Sequence, residues 1–391
     1  MISFEEAFKI VMDSALRTGV EVIPFTEADG RVIAEDVFSD IDMPPFNRSA
    51  VDGYACRASD LDNELKIIEV IPAGKQPEHL PGKNECSKIM TGAIVPDSCN
   101  IVFMVEDAEV LPGGKVRFKG RSMKSNISFK SEDVSAGDIV IRKGKYLRPQ
   151  DIAVIASVGH VDVVVSKKPL VGIISTGDEL VEPSVKPRLS QIRNSNSYQL
   201  LSQVKRAGGI GHYYGIAPDT GNLTFDLLTR AIDENDIVLL TGGVSMGDFD
   251  FVPAFLTRAG VKILFDKVNV QPGKPTTFGV HRDALIFGLP GNPVSSFIQF
   301  ETLVQPLLNL MTGSDRKAII RKVPLGRRYE RKSASRMGWV PVIINERHEA
   351  IPVEYHGSAH ISALPYTDGI FSIMPEQKIL EKGTLVDVRY I

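Results

Sequence analysis

The 391-residue chain has little cysteine, a single tryptophan and no large excess of either charge. Its three cysteines, Cys56, Cys86 and Cys99, are too few and too irregularly spaced for a disulfide framework or a CxxC metal site. Lysine and arginine number 45 against 48 acidic residues, which gives a net charge of −3. This balance excludes a disordered chain and a generally basic nucleic-acid surface. We therefore expect a globular protein of the reducing cytoplasm, without a nucleic-acid partner.

Long apolar runs are also missing, because none approaches the roughly 18 residues that a membrane span requires. The N-terminus lacks the basic region of a signal peptide. Ser3 to Glu6 instead has the pattern of a helix-capping box, and apolar residues follow it at the spacing of one helical face. At roughly 100 to 200 residues per domain, the length predicts two to four domains.

Residues 20 to 165 consist of short β-type runs separated by proline and glycine, which predicts small sheets or barrel-like β units. Pro149 to Ser157 is an exception and has the pattern of a short helix, with Gly159 beyond its end. Packing of this helix against the N-terminal helix would create a discontinuous domain.

From Pro169 onward, apolar strands alternate with helix-period segments, which predicts an α/β domain with a mostly parallel sheet. A long helix follows Asn292, which is placed to cap it, with Pro293 at the first helical position. Pro306 should bend that helix. Short strands return from about residue 321, which predicts a small all-β terminal domain.

Two loops that follow predicted strands indicate an anion site. Ile173 to Leu180 leads from one strand into Asp178 and Glu179, and Leu239 to Asp250 contains three glycines whose backbone N–H groups can approach an anion closely. Open α/β sheets bind ligands at this carboxyl edge. The spacing is neither GxxxxGK[ST] nor GxGxxG, which excludes a Walker A or dinucleotide motif. A tight turn is the alternative for either loop alone.

Charged side chains in these loops suit a phosphorylated substrate. Asp178, Glu179, Asp248 and Asp250 offer oxygen ligands for Mg²⁺, although each alone is also typical of a helix cap or a solvated acid. Lys274 lies between prolines in a stiff loop and suits an oxyanion, with an ordinary surface lysine as the alternative.

No pattern indicates covalent catalysis or a histidine metal site. His356 and His360 would share a metal only on a helix, and Gly357 and Ser358 argue against one. Neither a Ser-His-Asp order nor an activated cysteine is present. The sequence instead predicts that backbone N–H groups, a lysine and Mg²⁺ position an anionic ligand.

The motifs together resemble those of the molybdopterin molybdenumtransferase (MoeA) family, which is similar to the E domain of gephyrin. The resemblance covers essentially the whole chain, in this order: Met43 to Ala55, Met90 to Ala93, Ile174 to Leu180, Thr241 to Asp250, Gln271 to Pro275, and Gly288 to Val294.

The resemblance implies an α/β plus β fold in an elongated, multidomain protomer. Its central part is a MogA-like doubly wound α/β domain, flanked by β-rich domains and a C-terminal small β-barrel-like domain. The implied divisions are 1–43 with 140–167 (a linker domain), 44–139 (β-rich), 168–320 (α/β) and 321–391 (C-terminal β). The family also implies a homodimer with an active cleft between the two subunits.

The implied reaction inserts molybdate into adenylylated molybdopterin with Mg²⁺ and releases AMP and molybdenum cofactor. The catalytic residues carried over by motif are Asp52, Thr91, Glu179, Asp250 and Lys274, with Asp250 and Glu179 as metal ligands. The substrate-binding residues carried over are Gly242, Gly243, Ser245, Asp133, Asp219, Pro290, Pro293, Arg331 and Ser358.

One departure from the family concerns Gln271, which stands where many members have a second lysine. Two other functions stay open for this sequence: a pterin-binding scaffold without turnover, and a molybdopterin adenylyltransferase. The expected partners are a second copy of the chain, the pterin nucleotide, and transiently the adenylyltransferase and the cofactor-accepting enzymes.

Overall fold

A computed structural model describes residues 1–121, 124–218, 222–243, 252–282, 284–354 and 357–391. The chain forms two compact units, each discontinuous in sequence. The α/β unit comprises Met1–Ala34, Gly144–Arg148 and Val163–Ile391, and the β unit comprises Glu35–Lys143 and Pro149–Asp162. The predicted boundaries of four domains stay a prediction. Within the described ranges, no helix is long and apolar enough to cross a membrane.

The β unit is built on a six-stranded mixed sheet, as its short β-type runs predict. The spatial order of its strands is Ile101–Met104, Gly53–Cys56, Glu85–Ile89, Leu65–Ile71, Lys115–Phe118, Ala108–Leu111. Only the pairing between Leu65–Ile71 and Glu85–Ile89 is parallel. Two small antiparallel pairs accompany the sheet: Val37–Phe38 with Ile139–Ile141, and Arg48–Ser49 with Ile127–Ser128.

Both faces of this sheet are buried. Successive residues of a strand point to opposite faces, so Tyr54 and Ala55 enter different apolar clusters. Cys56 and Cys86 lie in the cluster of Tyr54, and Cys99 lies in that of Ala55. Burial raises the pKa of the Cys56 and Cys86 thiols to about 12 and that of Cys99 to about 11, so these thiols are unreactive.

The α/β unit contains a second six-stranded sheet, which is mostly parallel as predicted. The spatial order of its strands is Ile210–Ala217, Leu170–Thr176, Ile237–Thr241, Ala284–Leu289, Thr277–His281, Lys262–Phe265. The first four are parallel to one another, and Thr277–His281 runs antiparallel to both of its neighbours.

Helices cover both faces of this sheet, which confirms the doubly wound fold. Helices Asn222–Glu234 and Val252–Arg258 contribute Leu228 and Leu256 to the apolar cluster that contains Ile174. Helix Asn196–Arg206 packs on the opposite face, in the cluster of Ile173.

The N-terminal helix, Phe4–Asp13, begins where its capping box predicts, because the Ser3 hydroxyl accepts a hydrogen bond from the Glu6 N–H (3.0 Å). Its Ala7 and Val11 are fully buried in the same cluster as Ile173. The helix thus belongs to the α/β unit. The predicted helix Pro149–Ser157 is present, but it belongs to the β unit.

The long helix extends over Pro293–Gln299, Phe300–Val304 and Gln305–Met311, and its middle segment is π-helical. This irregularity immediately precedes Pro306, whose missing N–H removes one bond from the helical ladder. The predicted capping by the Asn292 side chain is wrong. Asn292 makes no capping bond, and the Ser358 carbonyl instead accepts the Val294 N–H (3.0 Å).

The C-terminal residues form a small barrel-like sheet, in agreement with the predicted terminal domain. Its strands are Ile320–Pro324, Met337–Ile344, Ala350–Pro352, Gly369–Ile373 and Leu385–Tyr390. All of their pairings are antiparallel, and the spatial order is Ile320–Pro324, Leu385–Tyr390, Gly369–Ile373, Met337–Ile344, Ala350–Pro352. A parallel bridge between Leu325 and Ala350 joins the two ends of this sheet. Strand Val270–Gln271 adds to the first residues of Met337–Ile344. Minor pairs of the unit are Val20–Pro24 with Asp162–Ser166, Leu180–Val181 with Ile192–Arg193, and Tyr329–Glu330 with Ile379–Leu380.

Candidate active site

The α/β sheet reverses its strand order at Leu170–Thr176. The strand of this sheet that follows along the chain, Ile210–Ala217, pairs on one side, and the chain then crosses to Ile237–Thr241 on the other side. In open α/β sheets, such a reversal leaves a crevice at the carboxyl ends of the strands. A pocket of about 760 Å³ lies there, lined by the loops that follow Thr176, Thr241 and Leu289.

The first loop places Glu179 at this pocket, as the sequence predicts. Gly177 has a φ of +143°, and a Cβ atom on it would lie 2.5 Å from Glu179 Oε2. The Glu179 carboxylate folds back over Gly177, and the positive φ of this residue would strain any other amino acid there. Asp178 and Glu179 are both exposed, so their charges remain hydrated.

The second loop brings Gly242 and Gly243 to the pocket with φ values of +95° and +60°. A Cβ atom on Gly242 would lie 2.3 Å from the Thr176 carbonyl oxygen, so this glycine permits close packing of the two loops. Its N–H is donated to Leu289 (3.3 Å). Ser245, Asp248 and Asp250, which the sequence singles out further along, lie outside the described residues, as do Asp219 and His356.

The third loop contributes Pro290 and Pro293 to the lining, as predicted. It also contributes Gly291, whose carbonyl accepts a hydrogen bond from the Asn196 side chain (2.8 Å). The same amide donates to Thr241 Oγ1 (2.8 Å). Asn196 thus connects the second and third loops, a role that the sequence analysis missed.

The loop that contains Lys274 is held in place by contacts of Gly273 with Gln299 and Thr276. A Cβ atom on Gly273 would lie 2.2 Å from Gln299 Nε2, and Thr276 Oγ1 donates to the Gly273 carbonyl (2.6 Å). Lys274 itself is exposed, and the next residue, Pro275, lines the pocket. The structure thus places this lysine beside the pocket with its ammonium group hydrated.

Ser358 lies at the start of the long helix. Its hydroxyl accepts a hydrogen bond from Asn292 Nδ2 (2.8 Å), in addition to the main-chain bond from its carbonyl to Val294. Ala359 and Ile361, which follow it, line the pocket. A turn from the C-terminal part of the chain therefore forms one wall of the pocket.

The resemblance implies that Arg331 contacts an anion, but in the structure its side chain is bonded to backbone carbonyls. Its guanidinium donates to the carbonyls of Gln377 (2.8 Å), Met374 (2.5 Å), Arg336 (2.7 Å) and Ala334 (3.3 Å). The residue is only 8% exposed, and burial lowers its pKa. Because its donors are already used by the backbone, this geometry favours a structural role in holding two turns together.

In the β unit, the structure joins two predicted catalytic residues. Asp52 Oδ1 accepts hydrogen bonds from the Thr91 backbone N–H (2.7 Å) and from the Thr91 hydroxyl (2.8 Å). The backbone bond, followed by the hydroxyl bond, lowers the pKa of Asp52 from its usual value. Gly92 has a φ of +81°, which allows the sharp turn that presents Thr91. Asp133 is exposed, and its N–H is bonded to the Met43 carbonyl (3.0 Å).

The described ranges contain no group of three or more histidine, cysteine, aspartate or glutamate residues arranged to hold a metal ion. Of the predicted Mg²⁺ ligands, Asp178 and Glu179 lie within these ranges, and Glu179 lines the pocket. Mg²⁺ often takes only one or two carboxylates and completes its shell with phosphate oxygens and water. A substrate-dependent Mg²⁺ site is compatible with this donor set.

Three family models together match nearly the whole chain. They are the MoeA N-terminal region (domain I and II) over residues 2–159, a probable molybdopterin binding domain over residues 172–310, and the MoeA C-terminal region (domain IV) over residues 322–390. A molybdopterin molybdenumtransferase of Staphylococcus epidermidis is 35% identical over 320 residues, which cover 80% of this chain and 76% of that protein. The chain belongs to the MoeA family.

Solved structures agree with this membership of the MoeA family. A molybdopterin biosynthesis MoeA protein of Pyrococcus horikoshii OT3 superposes with a TM-score of 0.87 at 32% identity, and 100% of both chains is covered. A molybdenum cofactor biosynthesis protein of Pyrococcus furiosus superposes with a TM-score of 0.64 at 23% identity, which supports the fold alone.

Proposed function

We propose that this MoeA family member inserts molybdate into adenylylated molybdopterin and releases AMP and molybdenum cofactor. The observation that carries the proposal is the convergence of the predicted loops on one pocket at the reversal point of the α/β sheet. Glu179, Gly243, Pro290 and Pro293 all line it. A family whose curated members are named molybdopterin molybdenumtransferase makes this chain an enzyme of molybdenum cofactor biosynthesis.

The pocket is suited to a large ligand with both a planar and an anionic part. Its volume of about 760 Å³ lies within the usual range for small-molecule sites. Leu180, Ile192 and the prolines Pro275, Pro290 and Pro293 give it apolar walls, which suit the faces of a heterocycle. The hydrated ammonium of Lys274, next to Pro275, suits an oxyanion entering from the rim.

The proposed mechanism requires no nucleophile from the protein. An oxygen of molybdate adds to the phosphorus of the bond between AMP and the pterin phosphate, and AMP leaves as the other product. The Mo–O bond to that oxygen breaks, and the two dithiolene sulfurs of the substrate bind molybdenum in its place and release their protons to solvent. Glu179 and Asp250 would hold Mg²⁺, which supplies charge neutralisation at the phosphates when bound. The residues of the protein hold the adenylylated pterin and molybdate in place and exclude competing water. The three buried cysteines, with raised pKa values, are consistent with a mechanism that does not use a protein thiolate.

We further propose that the working form is a cytoplasmic homodimer in which Asp52 and Thr91 of one subunit serve the pocket of the other. The backbone and hydroxyl hydrogen bonds from Thr91 lower the pKa of Asp52 and so favour its ionised form. The support for a shared site is the resemblance to a family whose active cleft lies between two subunits. The scaffold and adenylyltransferase interpretations are not favoured, because the curated relatives carry the molybdenumtransferase name.

Two substrate supplies separate these functions. The chain is given either molybdopterin with ATP, or adenylylated molybdopterin with molybdate and Mg²⁺, and both AMP and molybdenum cofactor are measured. We expect products only from the second supply, and loss of turnover when EDTA removes Mg²⁺. Adenylylation in the first supply would identify an adenylyltransferase, and binding without either reaction would identify a scaffold.

A further inference from the structure

Asn196 occupies a fixed position at the first turn of helix Asn196–Arg206. The preceding Asn194 accepts hydrogen bonds at Oδ1 from the Ser197 N–H (3.2 Å) and from the Ser175 hydroxyl (3.0 Å). Asn194 also donates to Tyr213 (2.8 Å). These bonds attach the start of the helix to strands Leu170–Thr176 and Ile210–Ala217, so Asn196 has little freedom to move.

From this position the Asn196 amide reaches two adjacent loops of the pocket wall. Its Nδ2 donates to Thr241 Oγ1 and to the Gly291 carbonyl, both at 2.8 Å. Asn196 is 8% exposed and Thr241 is 2% exposed. These bonds are therefore shielded from water, which makes them stronger and makes their loss costly.

The loops that Asn196 connects come close together. Gly242, which follows Thr241, donates its N–H to Leu289 (3.3 Å), and the Thr241 hydroxyl lies 3.4 Å from the Pro290 carbonyl. Both contacts are at the long end of the hydrogen-bond range. The Asn196 bonds are shorter, and they connect the two loops just beyond Thr241 and Leu289, where the ladder between the two strands ends.

We infer that Asn196 is a positioning residue for the reaction, because its amide sets the distance between the Thr241 and Gly291 loops that hold the substrate. The inference rests on the proposed function. It predicts that loss of the Asn196 amide disturbs the geometry of the bound substrate and lowers turnover strongly. The same loss should have a smaller effect on the stability of the fold. A displacement of about 1 Å in a catalytic site can reduce the rate about a hundredfold.

Aspartate is the informative replacement. Asn196→Asp keeps the size of the side chain but replaces the donating nitrogen with an oxygen. That oxygen faces the Gly291 carbonyl, which also only accepts, so the two repel each other. The added negative charge also lies in a pocket that we propose binds an anionic nucleotide.

Asn235 supplies a matched control at the opposite edge of the same sheet. It is also buried, and its Nδ2 donates to the Tyr214 hydroxyl and the Ala231 carbonyl, both at 2.8 Å. Asn235→Asp therefore introduces the same chemical change into a similar environment away from the pocket. This control variant measures how much stability is lost when a buried amide is replaced at a position outside the pocket.

The experiment measures kcat, KM and the thermal midpoint of both variants, with AMP release from adenylylated molybdopterin as the assay. We expect Asn196→Asp to lower kcat at least tenfold, while its thermal midpoint falls no further than that of Asn235→Asp. Equal kcat values in the two variants, after both are shown to be folded, would overturn the inference.

A second pair of variants keeps the test open if Asn196→Asp does not fold. Thr241→Val removes the acceptor with little change of shape, and Thr241→Ser retains it. We expect the serine variant to keep at least tenfold more turnover than the valine variant. Similar turnover in both would contradict a positioning role.

The affinity for AMP, measured by calorimetry, separates failure of this inference from failure of the proposed function. If the wild-type chain shows no turnover, the proposed function is wrong and the AMP affinities decide the inference. Asn196→Asp should then bind AMP at least tenfold more weakly than Asn235→Asp does. Equal affinities, or absence of AMP binding by the wild-type chain, would overturn the inference.

Discussion

The carboxylate of Asp52 accepts two hydrogen bonds at one oxygen from a single residue, Thr91, whose backbone N–H lies at 2.7 Å and whose hydroxyl lies at 2.8 Å. The two residues are 39 positions apart and come from separate motifs. Because both bonds favour the ionised carboxylate, Asp52 is held as an anion in a fixed orientation. This geometry leaves its second oxygen available to a partner.

The first prediction concerns this pair. Thr91→Val removes the hydroxyl bond and keeps the backbone bond, so the pKa of Asp52 should rise but remain below its ordinary value. Thr91→Ser should preserve the wild-type pKa. Carboxyl carbon NMR shifts recorded against pH give the measurement.

The lowered pKa of Asp52 should also make the stability of the protein depend on pH. A lowered pKa in the folded state stabilises the protein above the unfolded pKa of about 3.9, and this contribution disappears as the pH falls through the folded value. Thr91→Val should therefore reduce the difference in thermal midpoint between pH 7 and pH 3. An unchanged Asp52 pKa in this variant would show that the hydroxyl bond has no influence in solution.

The second prediction tests a site shared between subunits. At a limiting molybdate concentration, Asp52→Asn and Lys274→Gln should each have little activity, since one removes the anion of the β unit and the other the cation beside the pocket. In a mixed dimer, one of the two sites would receive both wild-type residues. Random exchange makes about half of the dimers mixed, so about a quarter of the wild-type activity should return.

The control for this experiment is a mixture in which each variant is prepared separately and subunit exchange is blocked by cross-linking. It should show no recovery. If activity stays absent after mass spectrometry has confirmed exchange, each site is contained within one chain and the proposed arrangement of the dimer is wrong.

The third prediction concerns Lys274 and Gln271 in one loop. Lys274→Gln should raise the molybdate concentration needed for half-maximal rate about ten- to a hundredfold, which corresponds to loss of a charge-assisted contact of roughly 1.5 to 3 kcal/mol. Gln271 is exposed, so Gln271→Lys should be tolerated and should lower the required molybdate concentration. The measurement is cofactor formation against molybdate, with adenylylated molybdopterin saturating.

An unchanged molybdate dependence in Lys274→Gln would assign this lysine to the phosphate or to the fold. The oxyanion would then have to be bound elsewhere. Ser358 is the remaining predicted molybdate-side residue near the pocket, because the donors of Arg331 are used by the backbone.

The fourth prediction addresses stability through Glu301, which is 1% exposed in the π-helical segment. Its carboxylate accepts hydrogen bonds from Arg206 and from Gln203 (2.6 Å). Glu301→Ala leaves the buried Gln203 amide without this acceptor and removes the partner of the half-exposed Arg206, so it should cost about 1 to 3 kcal/mol. Glu234→Ala, which breaks an exposed pair with Arg230, should cost clearly less, because water screens that pair.

Calorimetric thermal midpoints of the two variants provide the measurement. Glu301 also raises the pKa of the buried Arg389 guanidinium against the lowering effect of burial, so its removal destabilises two arginines. Equal midpoints for both variants would contradict a structural role for this buried carboxylate.

The pocket loops could be predicted because their sequence signals are local. An apolar strand such as Ile237–Thr241 that ends in Gly242 and Gly243 identifies the carboxyl edge of a sheet without knowledge of its neighbours. Glycines with positive φ are required where two such loops approach each other, so the motif and the geometry have the same cause.

Contacts between distant segments could not be predicted in this way. Asn196 has the local pattern of a residue at a helix start, and nothing beside it reveals that its amide reaches Thr241 and Gly291, which are 45 and 95 residues away. Asn292 has the pattern of an N-cap, but the Ser358 carbonyl occupies that role from 66 residues further on. In both cases a tertiary contact replaces the local one.

The most direct test of the proposed activity is the stoichiometry of a single turnover. Excess protein is mixed with adenylylated molybdopterin and Mg²⁺, with or without molybdate, and AMP and pterin-bound molybdenum are quantified together. The account predicts that AMP appears only when molybdate is present and that AMP and bound molybdenum form in equal amounts. Release of AMP without molybdate, or of AMP without matching bound molybdenum, would contradict it.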